Sequence, residues 1–349
     1  MYELEKEVAW ESSVLGILHK QLLVRPIPIP STLRLDGKTA IVTGANSGLG
    51  LEAARQLLNL GLSHLVLAVR SQRNGETAGQ QLRSEFPGAL LQVSILDLAD
   101  YDSIFAFVDR CRRDLQRIDY CVLNAGVQRS IFKRNEKTGH ESVFQTNYLS
   151  TALVTLLLTS LMKEKKQQQQ QDGQPSVLTV VGSDTMYFSK LRLPTTGSLF
   201  QLVDRSDRFE RFQQYMDTKL LLMMFVAGLA PRVNAADVTI NVCNPGLTYG
   251  TNLGREANKV AQFVMRPVVR VLGRSLHVGA SVYVHALVAG GLASHGRFVS
   301  DWALKPYAAV MYTDEGRIMG EKLWQETMED LAHIPALEST LTEFVQPNL

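Results

Sequence analysis

The sequence predicts an α/β fold: a single doubly wound domain on a parallel sheet, with an N-terminal arm and a helical C-terminal extension. Three observations carry this. Between residues 38 and 255, short apolar runs of strand length alternate six times with segments of helical periodicity. A glycine-rich turn directly follows the first of those runs. Hydrophobic residues make up 45% of the chain, enough to bury both faces of such a sheet.

Residues 1–25 read as a short amphipathic helix with Trp10, Leu15, Ile17 and Leu18 as its apolar candidates. In "RPIPIPSTLRLDG" (25–37) alternate prolines block helix, so 1–37 form a helix and an extended arm. The main domain is expected over 38–255. "KTAIVTG", "HLVLAVR", "LLQVSILDL", "DYCVLNAG", "PSVLTVVGS" and "VTINVCNPG" are its six strands. Helices are expected in "GLGLEAARQLLNLG", "RNGETAGQQLRSEF", "YDSIFAFVDRCRRDL", 140–162 and 209–231. The low-complexity "KEKKQQQQQDGQ" (163–174) reads as a solvated loop. Residues 256–349 continue the same domain as a substrate-side helical extension, with amphipathic stretches at 260–273 and 314–331.

Composition excludes several classes. A formal charge of +2 gives no basis for nucleic-acid binding. Cys111, Cys121 and Cys243 are too widely spaced for a disulfide framework or a zinc site, so no metal is expected. Cys243, among strand residues, reads as an inert core thiol. No secretory leader is visible and no apolar run reaches the length of a transmembrane helix, which points to the cytoplasm. Peripheral membrane contact and homo-oligomerisation stay open.

The turn "TGANSGLG" (43–50) places Gly44, Gly48 and Gly50 between the first strand and the first helix. Glycine lets main chain approach a ligand closely, and the helix start aims unpaired N–H groups at it. A pyrophosphate is the expected guest, met by Gly44, Asn46, Ser47, Gly48, Leu49 and Gly50. Dinucleotide sites that take NAD place an acid about 20 residues further on, against the ribose 2′-hydroxyl. Here that position is Arg70, with Arg73 just beyond. A guanidinium suits a 2′-phosphate, so NADP(H) is favoured. Asp119, at the start of the fourth strand, reads as a structural cap.

These residues, with "LDL" around Asp97, "NAG" (124–126), Asn147, Ser183, "YMDTK" (215–219) and "NPG" (244–246), carry a resemblance. The chain resembles the short-chain dehydrogenase/reductase superfamily, a Rossmann-type family, and within it the retinol-dehydrogenase-like branch with its fungal relatives. The match spans about 38 to 255. The resemblance implies that Asp97 and Leu98 meet the adenine, and that Asn124, Ala125 and Gly126 line the cofactor groove. It implies a catalytic set of Asn147, Ser183, Tyr215 and Lys219. It also implies that Pro245, Gly246 and either Thr248 or Thr251 hold the nicotinamide end. Gly182-Ser183 stands where the family often has two serines, and Thr218 replaces the serine before the lysine.

Tyr215 and Lys219 are four apart on a predicted helix and share a face. A nearby ammonium is expected to favour the phenolate, and Lys219 to hold the nicotinamide ribose as well. Ser183 would orient a carbonyl oxygen, Asn147 would link Lys219 to solvent through a water, and Tyr215 would pass the proton during hydride transfer. Ser183 and Tyr215 are 32 positions apart. Compact members of the family this chain resembles place these closer together, so the resemblance implies that the insert at 195–212 lies over the active-site rim, with Phe188, Leu191, Leu193, Phe200 and Leu202 as an apolar wall, and that 249–275 is a lid. Together these readings predict an NADPH-dependent ketoreductase or alcohol dehydrogenase for a bulky apolar carbonyl or alcohol, of the kind found in secondary metabolism. An isomerase or lyase, or a dinucleotide-sensing protein on the same fold, is the alternative.

Overall fold

The computed structural model describes residues 2–168, 173–251, 267 and 269–344. The six predicted strands are present: β1 (Thr39–Thr43), β2 (His64–Val69), β3 (Leu90–Ile95), β4 (Tyr120–Leu123), β5 (Ser176–Val181) and β6 (Val238–Asn244). Two short strands from the C-terminal region, β7 (Phe298–Ser300) and β8 (Ala303–Lys305), extend the same sheet. The order is β3-β2-β1-β4-β5-β6-β7-β8, all parallel except β8 against β7. Every residue of β1 and β6 is buried, as a sheet covered on both faces requires. At the opposite end from the glycine turn, the Asp119 carboxylate accepts the Thr39 N–H at 2.9 Å and pairs with Arg117, so it is a cap as expected.

The helices that matter to the site are α1 (Val14–Leu22), α2 (Gly48–Asn59), α3 (Gln72–Glu85), α4 (Tyr101–Asp114), α5 (Ser150–Gln168), α6 (Arg211–Leu229), α7 (Leu276–Val288) and α8 (Asp314–Ala332). Two cores, one on each face of the sheet, hold them in place. Among the described residues no helix is long and apolar enough to cross a membrane. All three cysteines are buried and unpaired, and no metal-binding cluster occurs among the described residues.

Four expectations need correction. The buried positions of α1 are Gly16 and Lys20; of the expected apolar residues Ile17 and Leu18 are half-buried, whereas Leu15, and Trp10 in the preceding turn, are exposed. The reason is a buried ion pair: Lys20 meets Glu11 at 3.0 Å beneath the helix. The segment from 163 is not loop, because α5 continues through Gln168. Its Lys, Glu and Gln residues favour helix, and Gln168 donates to Glu164 one turn back. Residues 169–172 lie outside the described residues, as do 252–266 and 268, which hold most of the expected lid and of the 260–273 stretch.

The insert does not roof the site. Phe200 and Leu191 are buried in the core, with Leu193 and Leu202 packed against it, and no residue of 195–212 lines the groove described below. Its short helix (Leu199–Val203) is capped by Glu326 of α8, which accepts from the Leu199 and Phe200 N–H groups at 2.8 Å. Of the expected wall, Phe188 alone faces the groove.

His140 fastens the same region. Its Nδ1 meets Asp204 at 2.5 Å and its Nε2 meets Asp330 at 3.0 Å. Burial alone would lower its pKa, but the hydrogen bonds and charges of Asp204 and Asp330 outweigh that and hold it at about 9, against an ordinary 6.5. A folded value above the unfolded one stabilises fully below about pH 6.5, and the contribution fades as pH rises through about 9. A His140→Gln protein should therefore melt below the wild type at about pH 6. The gap should narrow above about pH 9. A gap independent of pH in thermal melts would contradict the charged pairing.

Candidate active site

The carboxyl ends of β1 to β6 open onto a groove of about 710 Å³. It lies where the strand order reverses between β1 and β4, the place where doubly wound sheets take ligands. Gly44 turns the chain there with φ +65°, a left-handed angle that residues with a Cβ rarely adopt. At Gly50, a Cβ would sit 2.6 Å from both the Gly44 carbonyl oxygen and Asn124 Nδ2, so only glycine lets α2 start this close to the turn. Gly44, Asn46, Ser47, Gly48 and Leu49 line the groove, while Gly50 stands behind it. The first N–H groups of α2 have no partner within the helix and suit an anion.

At the end of β2, Arg70 is exposed on the groove wall. Asp97 and Leu98 follow β3, with Asp97 Oδ1 accepting the Ala99 N–H at 3.0 Å. Asn124 works inside the protein as well as beside the groove. Its Nδ2 donates to the Thr43 carbonyl at 2.9 Å, and Ala125 N–H donates to Thr43 Oγ1 at 2.9 Å. These bonds fix the end of β4 to the end of β1. Gly126 lines the groove next in the chain.

Ser183, Tyr215 and Lys219 meet at the far end of the groove. Ser183 caps the short turn Asp184–Phe188, accepting from the Thr185 N–H at 3.2 Å. Lys219 donates to the Val181 carbonyl at 2.7 Å and lies 5.5 Å from the centre of the Tyr215 ring. Burial lowers its pKa to about 8.

The expected depression of the tyrosine is not what the geometry gives. Burial pushes the Tyr215 phenol well above its usual range, and the Asp184 charge pushes the same way, against the nearby Ser183 hydroxyl. Asn147 stands behind the groove wall. It is buried in a π-turn (Gln145–Leu149) ahead of α5. Its amide binds both backbone groups of Val127, at 2.8 and 2.9 Å, instead of lining the groove. π-turns of this kind often mark functional places in helices.

After β6, Pro245, Gly246, Thr248 and Thr251 border the groove. Thr248 is buried and donates to the Gly246 carbonyl at 3.1 Å. Thr251 lies across from the glycine turn, its Cα 3.9 Å from where a Gly48 side chain would begin.

The sequence model of the short chain dehydrogenase family matches residues 38–173. The short chain dehydrogenase virL of Hypocrea virens is 42% identical over 334 residues, covering 96% of this chain and 96% of that one. The chain belongs to the short-chain dehydrogenase family. A second relative, the short chain dehydrogenase opdN of Penicillium oxalicum, is 42% identical over 87% of this chain and 99% of its own length. Among solved structures, L-sorbose reductase from Gluconobacter frateurii, complexed with NADPH and L-sorbose, overlays with a TM-score of 0.58 at 20% identity, covering 77% of this chain and 96% of that chain. Gluconate 5-dehydrogenase from Burkholderia cenocepacia, in complex with NADP and tartrate, does so at 0.56 and 20%, covering 77% and 94%. At these identities the likeness shows the fold.

This short-chain dehydrogenase has groove residues that sequence reasoning missed. Ser71 and Asn74 flank Arg70 at the start of α3 and could have been found from the cap pattern alone. Tyr283 reaches in from α7 and donates to Asn124 Oδ1 at 3.3 Å; nothing in the sequence near it signals this. Asp184 was within reach, being the neighbour of Ser183. Burial raises its pKa and the Asp301 charge adds to this, while the Lys20 and Arg274 charges and the nearby Asn244 amide oppose it. Because the Asp184 charge holds the Tyr215 phenol up, Asp184→Asn should let that pKa fall. The pH profile of kcat/KM should then move to lower pH. A profile that stays in place, or moves up, would show that the charge is not felt at Tyr215.

Proposed function

We propose that this short-chain dehydrogenase is an NADP(H)-dependent oxidoreductase that interconverts a carbonyl and an alcohol on a bulky, largely apolar substrate, working as a ketoreductase. The observation that carries the reading is one groove lined both by the glycine turn and by Ser183, Tyr215 and Lys219, with the Lys219 ammonium 5.5 Å from the centre of the Tyr215 ring.

The residues fit a dinucleotide. The glycine turn and the start of α2 suit a pyrophosphate, with Thr251 across from it. Arg70, Ser71 and Asn74 suit a 2′-phosphate, Asp97 and Leu98 the adenine, and the Pro245–Thr248 loop the nicotinamide. When bound, the cofactor supplies or accepts the hydride. The protein supplies the rest. Ser183 orients the substrate oxygen. Tyr215 is the proton donor in reduction, and its raised pKa keeps it protonated at neutral pH. Lys219 sits beside Tyr215 and holds the cofactor ribose. Asn147 acts at one remove, fixing the wall at Val127. Exposed Phe188 and Leu247 at the mouth favour an apolar substrate. The solved neighbours of this fold include complexes with NADPH and with NADP, which supports the cofactor assignment.

Tyr215→Phe should cut kcat by roughly 10² to 10⁴ while NADPH affinity stays the same. Steady-state NADPH consumption with a panel of apolar ketones, paired with fluorescence titration of NADPH, tests this. Unchanged turnover would remove Tyr215 from its role. Arg70→Ala should raise KM for NADPH by about tenfold or more and leave KM for NADH unchanged, since charge-assisted hydrogen bonds contribute about 1.5–3 kcal/mol. Equal effects on both cofactors would place the 2′-phosphate elsewhere.

A further inference from the structure

Helix α1 precedes the residues matched by the family model, yet it closes on the groove. Its Gln21 side chain makes two hydrogen bonds to one distant residue. Nε2 donates to the Leu247 carbonyl at 2.6 Å, and Oε1 accepts the Leu247 N–H at 3.1 Å. A side-chain amide thereby pairs with a loop backbone as a neighbouring strand would. Ile17, one turn earlier on α1, lines the same groove as Tyr215 and Lys219.

We propose that α1 is a working part of the active site: Gln21 is a positioning residue that clamps the Pro245–Thr248 loop, and Ile17 is a wall of the substrate end. This rests on reading that loop as the nicotinamide side of the groove.

The helix is anchored too firmly for a passive tail. Lys20 is buried, and it pairs with Glu11, which in turn binds Lys305 of β8 at 2.6 Å. The Lys20 ammonium also lies 5.4 Å from the centre of the Tyr187 ring, in the turn that follows Ser183. From the inner side, buried Arg274 donates to the Lys20 carbonyl at 2.8 Å and to the Pro245 carbonyl at 3.3 Å, and pairs with Asp301. Its guanidinium sits over the Trp302 ring at 5.0 Å. Asp301 and Trp302 form the β7–β8 turn with φ +54° and +58°, angles sparsely populated by residues other than glycine. That strained turn holds the acid where Arg274 meets it. The loop is therefore gripped by α1 on its outer side and by Arg274 on its inner side. A loop ordered in advance costs less to order when a ligand binds.

The test uses the full chain. Gln21→Met keeps length and loses both bonds to Leu247. It should raise the NADPH dissociation constant about tenfold, read by fluorescence titration, and lower kcat. Ile17→Ala breaks no hydrogen bond, so it stays informative if the first variant folds poorly. It should leave NADPH affinity unchanged and raise KM for a bicyclic aryl ketone more than for a small aliphatic one. Wild-type NADPH affinity and kcat in Gln21→Met, or equal KM changes for the two ketones in Ile17→Ala, would overturn the proposal. Tyr215→Phe run alongside separates the two levels. If it is inactive while the α1 variants behave as wild type, α1 has no such role and the site reading stands. If it turns over normally, the site reading fails and takes the role of α1 with it.

Discussion

Strand β1 pairs with β2 on one side and β4 on the other, and the crossovers from this pair leave toward opposite edges of the sheet. That reversal opens the crevice on which every functional feature depends. It is held by polar bonds at the strand ends. Asn124 and Ala125 tie the end of β4 to Thr43, and Tyr283 binds Asn124 from the opposite side. The same Asn124 amide closes off the space beside Gly44 and Gly50, so the phosphate turn and the β4 end are mutually shaped.

The proposed reactive end follows from desolvation. Lys219 and Tyr215 are placed where burial disfavours charge on both, so the lysine's pKa falls and the phenol's rises. Such a pair shares no strong ionic bond in this structure, and the lysine's bond to Val181 fixes its position. Asp184, Lys20, Arg274 and Asp301 surround the serine side with alternating charge, so the electrostatics of the tyrosine extend to residues far from it in the chain.

Much of this was legible in the sequence, for identifiable reasons. The six strands were visible because buried parallel strands are nearly continuous apolar runs, as in "TAIVT" and "VTINVCN". The groove lining was visible where spacing and strand ends coincide: the glycine turn, Arg70, Ser183, and Tyr215 with Lys219 all border it. Strands β7 and β8 were not, because three residues show no periodicity and their turn carries Asp301-Trp302 in place of a glycine or asparagine signal. The insert at 195–212 looked like an apolar wall because its side chains are apolar; pattern alone does not say whether such residues face a ligand or the core, and Glu326 and His140 settle it toward the core. The role of α1 was hidden for the opposite reason. The contact proposed for it is polar, and Gln21 and Leu247 are 226 positions apart.

The most direct test of the central claim is the fate of the hydride. The protein should be incubated with an apolar ketone and NADPH deuterated at the transferable C4 position. A hydride-transferring site places one deuterium on the carbinol carbon of each product molecule, read by mass spectrometry, with one NADPH consumed per product. Product formed without deuterium, or with NADPH left intact, would contradict it and favour an isomerase or lyase on the same fold.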